Sequence, residues 1–109
     1  MSPKFTRDHR LTRREEFEHV FSRGRRIKHE GITAWLLPSA SPRIGCAVSR
    51  RYGRPVHRNK FKRRVRAAFR QHLDQLPPND IVITATSTRG WITYPQIESL
   101  FHQLINDAT

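Results

Sequence analysis

Two apolar strands bracket a long amphipathic helix between Arg43 and Thr86, and that order constrains the fold of this 109-residue chain more than any other feature. Arg43–Ser49 alternates, with Ile44, Cys46 and Val48 on one side. The helix begins within Val56–Lys60 and runs to about Leu76. Phe61, Val65, Ala68, Phe69, His72, Leu73 and Leu76 recur along it at three- and four-residue steps. Asp80–Thr86 then supplies the apolar run Ile81, Val82 and Ile83. A strand–helix–strand unit implies a sheet with at least one parallel pair, because a crossover helix returns the chain to the same end of the sheet.

The remaining elements are shorter. Thr12 and Glu15 read as a T-x-x-E capping box opening a first helix, with Phe17, Val20 and Phe21 on one face and Gly24 as its stop. Arg25–His29 reads as a short edge strand. Gly31–Leu37 reads as a strand with Ile32, Ala34 and Leu36 on one side and Thr33, Trp35 and Leu37 on the other. Pro38–Pro42 reads as a turn or hairpin loop, and Ser87–Gly90 as a turn. Thr93 and Gln96 form a second capping box, with Pro95 in the first turn of a last helix that buries Ile97, Leu100, Phe101, Leu104 and Ile105. The expectation is one domain over residues 11–109 behind a loose basic tail at residues 1–10.

Charge is distributed as unevenly as hydrophobicity. Gly31–Leu73 contains no Asp or Glu and eleven Lys or Arg, ten of them within Arg50–Arg70. Lys62, Arg63, Arg66 and Arg70 fall off the apolar stripe of the long helix, so one helix carries a core face and a cationic face. Such a face repels itself unless a polyanion covers it, and nucleic acid gains from releasing condensed counterions. A sixteen-residue helix is about 24 Å long, enough to track several phosphates. The single cysteine excludes an internal disulfide and fits a reducing cytosol. Alternating with Ile44 and Val48, Cys46 reads as a small buried strand residue rather than a reactive thiol. No apolar run approaches membrane-spanning length and no signal peptide is present.

The residues offer no self-sufficient active site. Metal-dependent nucleases need clustered carboxylates, and the most basic region has none. Glu15, Glu16 and Glu18 read as a solvated helix face. No histidine pair has helical ligand spacing, one cysteine cannot complete a zinc set, and no P-loop or dinucleotide fingerprint occurs. Single-stranded RNA binding is better supported, because such sites combine a cationic groove with aromatic platforms for bases. Phe17 and Phe21 sit one turn apart and fit core packing and cleft lining equally. Trp35, sharing a face with polar Thr33, is less easily buried whole.

The run from Arg50 to Arg70, RRYGRPVHRNKFKRRVRAAFR, resembles the signature of the bacterial ribonuclease P protein subunit. Glu16–Gly24 is similar to that family's D/E-F-x-x-V-F-x-x-G helix and Arg43–Ser49 to its R-I/V-G-x-x-V-S strand. Asp80–Ala85 and Tyr94–Leu104 are similar to its last strand and helix. The resemblance implies an α/β (α+β) sandwich, ribosomal protein S5 domain 2-like, in the order α-β-β-β-α-β-α, with a small mixed sheet and a left-handed β-α-β crossover. Periodicity alone leads to the right-handed default.

The resemblance further implies a protein subunit of a cytoplasmic ribonucleoprotein endonuclease, one protein per RNA. Its RNA partner holds the magnesium ions and removes the 5′ leader of precursor tRNA. The RNA-subunit contact then falls on Arg58, Asn59, Lys60, Lys62, Arg63, Arg66 and Arg70. The leader cleft falls on Phe17, Phe21, Trp35, Ser49, Arg50 and Arg51, with no catalytic residue in the protein. Lys60 stands where the family has a second Arg, keeping charge without the bidentate fork. Three other readings follow from the residues alone: a structural RNA binder, a duplex-DNA binder with the basic helix in the major groove, and a stand-alone nuclease.

Overall fold

The computed structural model describes residues 9–29, 31–85 and 91–107, so most of the basic tail and the Ser87–Gly90 turn lie outside the described residues. The elements are α1 (Arg14–Arg23), β1 (Arg25–His29), β2 (Ile32–Pro38), β3 (Arg43–Val48), α2 (Pro55–His72), β4 (Asn79–Ala85) and α3 (Tyr94–Asp107). Short 3-10 turns occupy Arg50–Tyr52 and Leu73–Gln75. The four strands form one mixed sheet in the order β1-β2-β4-β3. β1 and β4 run antiparallel to β2, and β3 runs parallel to β4. Pro38–Pro42 is therefore no hairpin: β4 is inserted between β2 and β3, where its apolar run Ile81, Val82 and Ile83 is fully buried.

The sheet has two unequal faces. Ile27, Ile32, Ala34, Leu36, Ile44, Ile81 and Ile83 face α2 and α3, which bring Phe61, Val65, Phe69, Ile97, Leu100 and Phe101 to the main core. Among the described residues, the opposite face is covered by α1 and the segment just before it, through a smaller cluster of Leu11, Val20 and Val82 with Phe17, Phe21, Trp35, Leu37 and Ala47 partly buried around it. Ile44 faces α2, and its carbonyl accepts from the Leu11 N–H at 2.9 Å on the outer side of β3, away from β4. For an L residue, that pairing of side-chain and carbonyl directions puts β4 to the left of β3 as seen from the helices. The β3–α2–β4 crossover is left-handed, against the usual preference.

α1 opens one residue later than the T-x-x-E pattern predicts. Arg13 is its N-cap, and Glu16 rather than Glu15 accepts the N–H groups of Thr12 (3.2 Å) and Arg13 (3.0 Å). The reason is tertiary. Arg43, on β3, donates to Glu16 Oε2 at 2.7 Å while its other nitrogens grip Asp80 at 2.7 and 2.8 Å, so the sheet selects which glutamate caps. The second capping box forms as expected, with Thr93 N–H donating to Gln96 Oε1 at 2.8 Å.

Candidate RNA-binding surface

α2 can be long and cationic because its burial is confined to one stripe. Phe61, Val65, Ala68, Phe69 and His72 are buried. Val56, Asn59, Lys60, Arg63, Arg66 and Arg70 are exposed at three- and four-residue steps along the outer side. Lys62 and Arg58 lie at the margins, partly buried. Of the predicted RNA contacts, Asn59, Lys60, Arg63, Arg66 and Arg70 thus form one outward stripe, Lys62 borders it, and Arg58 turns its Nε inward.

Two of the eleven cations do other work. Arg43 is held by Asp80 and Glu16, and Arg64 donates to the Ile92 carbonyl at 2.8 Å, tying α2 to the start of α3. Charge counting could not separate these from the outward stripe, because only the fold supplies their acceptors.

The aromatic trio assembles on the α1 face. The Phe21 ring meets Trp35 edge-on at 5.1 Å between centroids, and the Arg26 guanidinium lies 5.4 Å from the Trp35 ring. Phe17 lies on β3, where a Cβ on Gly45 would come within 2.7 Å of its ring. All three rings are partly buried, so packing and cleft lining coexist in the same side chains.

Strand register shows what lies beside them. Trp35 pairs with Val82, which pairs with Gly45 under Phe17; the next row holds Lys28, Thr33, Thr84 and Ala47. Thr33 and Thr84 are partly exposed and put hydroxyls on this row, while Ala47 packs at the edge of the α1 cluster. Ser49 follows one row on, about 13 Å from the Trp35 row at about 3.3 Å per residue. Its hydroxyl accepts the Arg51 N–H at 3.1 Å and caps the turn that exposes Arg50 and Arg51. The predicted cleft residues therefore share one sheet face, with the rings at one end and the arginines at the other. Thr33 and Thr84 between them were not singled out from sequence.

The cationic and aromatic surfaces are joined. A cavity of about 120 Å³ at the outer edge of β3 is lined by Phe17, Gly45 and Cys46 together with Lys62, Arg66 and Arg10. Cys46 takes no part as a nucleophile: burial pushes its thiol up to about 12, although Arg66 and Lys62 pull the other way.

Sequence reading also missed a second ring cluster at the N-terminal end of α2. His57 stacks on Trp91 at 4.1 Å, Tyr52 packs against Trp91 at 5.6 Å, and the Tyr52 hydroxyl accepts the Ile92 N–H at 2.9 Å. Gly53 adopts φ 159° beneath this cluster, and a Cβ there would come within 2.8 Å of the Trp91 ring. Trp91 is more than half exposed, beside Lys60 and Arg64.

Known proteins resemble this chain in sequence and in fold. The ribonuclease P family model matches residues 5–109. The ribonuclease P protein component of Desulfovibrio desulfuricans is 42% identical over 86 residues, covering 74% of this chain and 66%, just under two thirds, of that protein. The component from Halalkalibacterium halodurans is 33% identical over 101 residues, covering 88% of this chain and 85% of that protein. Among solved structures, the Thermotoga maritima RNase P protein superposes with a TM-score of 0.77 at 26% identity, over 89% of this chain and 96% of that one. The Staphylococcus aureus RNase P protein shares the fold with a TM-score of 0.79 at 23% identity, over 93% and 95%. Matched over nearly its whole length by the family model, and by a relative at 33% identity over most of both proteins, this chain belongs to the ribonuclease P protein family.

Proposed function

We propose that this chain is the protein subunit of a cytoplasmic ribonuclease P ribonucleoprotein, docking on the catalytic RNA and steadying the 5′ leader of precursor tRNA. The observation that carries the reading is the continuity of two surfaces. The cationic stripe of α2 runs through Lys62 and Arg66 to Phe17 and the ring-bearing sheet face. RNA with both a folded and a single-stranded part requires that combination: phosphates neutralised along one side, bases held on rings along the other.

In this reading Asn59, Lys60, Lys62, Arg63, Arg66 and Arg70 meet RNA phosphates, and Arg58 supports them from its half-buried position. Phe17, Phe21 and Trp35 flank the leader, while Thr33 and Thr84 offer hydroxyls and Arg50 and Arg51 cations further along. The chemistry belongs to the RNA: hydrolysis leaves a 5′-phosphate on the tRNA. The protein residues here do not fit magnesium. Glu16 and Asp80, the acids beside this surface, are both held by Arg43, and cations line the remainder. The protein instead offsets phosphate repulsion, which lets the RNA fold and bind its ions at lower magnesium.

Reconstitution with the catalytic RNA at low magnesium tests this directly. Cleavage of precursor tRNA should rise when the protein is added, with no cleavage by the protein alone after RNA removal. Binding to the RNA without any gain in cleavage would favour a purely structural RNA binder.

A further inference from the structure

A second cluster lies where the C-terminal end of α2 packs on α3. His72 Nε2 lies 3.2 Å from both oxygens of Glu98, and His102 Nε2 lies 3.7 Å from Glu98 Oε2. One ligand atom from each residue falls within 4.8 Å of the other two. The histidine rings meet edge-on at 5.0 Å between centroids. Glu98 and His102 are one turn apart on α3, and His72 is brought across from α2 by the helix packing.

The choice of partners is unusual for this chain. It carries 21 Lys and Arg, yet among the described residues the ion-pair partners of Glu98 are two imidazoles and no Lys or Arg. His72 is buried, and Glu98 is largely covered. The opening is on the side of His102, whose side chain is 61% exposed.

We propose that His72, Glu98 and His102 form a binding site for a divalent transition ion of the zinc class, with water completing a four-coordinate shell. Two imidazoles and one carboxylate are a borderline-soft set, which suits zinc, cobalt or nickel and not magnesium. Ligand atoms about 2.0–2.2 Å from such an ion lie roughly 3.3 Å apart in a tetrahedron. Two of the three edges are already near that value, and a rotation of the exposed His102 side chain closes the third. Tyr94, one turn before Glu98 on α3, donates its hydroxyl to Gln71 Oε1 at 2.9 Å, a second tie between α3 and α2 beside the site. The ion would clamp α2 to α3 on the side of the molecule where the helices meet.

Cobalt(II) is the probe, titrated into the metal-free full chain near neutral pH. The expected result is a visible absorption band typical of four-coordinate cobalt, displaced by zinc, together with a metal-dependent rise in melting temperature. His102→Ala changes a mostly exposed side chain, so the variant should fold. It should bind at least about tenfold more weakly and lose the melting shift. His19→Ala, at an exposed histidine on α1, is the control and should leave both unchanged. Cobalt binding that His102→Ala does not alter, or no cobalt band in the wild-type chain, would overturn the site and leave a plain hydrogen-bonded cluster.

Discussion

Arg43 shows how one residue's role is decided by its neighbours. In a sequence this basic it looks like one more phosphate ligand, yet it spends its guanidinium on Asp80 and Glu16 and fastens α1 to the sheet. The Arg13 N–H holds the Glu16 carboxyl below its ordinary 4.5; burial opposes this, and the Thr12 N–H and Arg43 reinforce it. A carboxyl lowered in the folded state adds stability that is complete above the unfolded value and lost as pH falls through the folded one. Glu16→Gln should therefore lower stability at neutral pH and make the loss on acidification to about pH 3 shallower, measured by urea denaturation at each pH. Gly45 is the other decisive single residue. Gly45→Ala drives a methyl into the Phe17 ring and should cost about 1–3 kcal/mol of folding stability. Leader affinity should fall as well, since Phe17 must move.

At the scale of elements, α2 is the core of the proposed RNA contact because its two sides are separable. Its buried stripe packs on the sheet and α3, so substitutions on the outer stripe should change RNA affinity without unfolding the protein. Arg63→Ala with Arg66→Ala should weaken RNA binding and flatten its dependence on log salt by about 0.7–0.9 for each phosphate no longer neutralised. Circular dichroism melting should stay near wild type. An unchanged salt slope would move the docking surface elsewhere, with the exposed Arg50 and Arg51 turn as the next candidate. α1 behaves differently: among the described residues it and Leu11 cover their sheet face, and its Phe17 and Phe21 are only partly buried there.

On the proposed reading, the whole molecule places a folded-RNA surface and a single-strand surface at two sides of one sheet edge. Phe21→Ala should then cost more with a long-leader precursor than with mature tRNA, by about 1–3 kcal/mol in binding if a base rests on the Phe21–Trp35 pair. Equal losses on both RNAs would restrict the pair to packing. The left-handed crossover matters at this scale, because it decides which face of the sheet α2 covers, while the strand order leaves β3 as the edge beside it. That edge brings Gly45, Phe17, Lys62 and Arg66 around one cavity.

The chain's linear pattern determines its helices, its strands and the sidedness of α2, because each follows from local periodicity and from where charge is tolerated. The strands that alternation and apolar runs predict at Gly31–Leu37 and Arg43–Ser49 fall within one residue of those observed, the Asp80–Thr86 strand is observed from Asn79 to Ala85 with Thr86 outside the described residues, and the cationic stripe falls where the off-stripe arginines predict. Tertiary structure alone decided the remainder. β4 had to insert between β2 and β3 before Pro38–Pro42 could be distinguished from a hairpin. Arg43 had to meet Asp80 before it left the cationic set, and its second bond moved the α1 cap from Glu15 to Glu16. Crossover hand, the Thr33–Thr84 pair and the meeting of His72 with Glu98 and His102 all join residues far apart in sequence. Such contacts depend on how sheets and helices stack, and no local propensity encodes them.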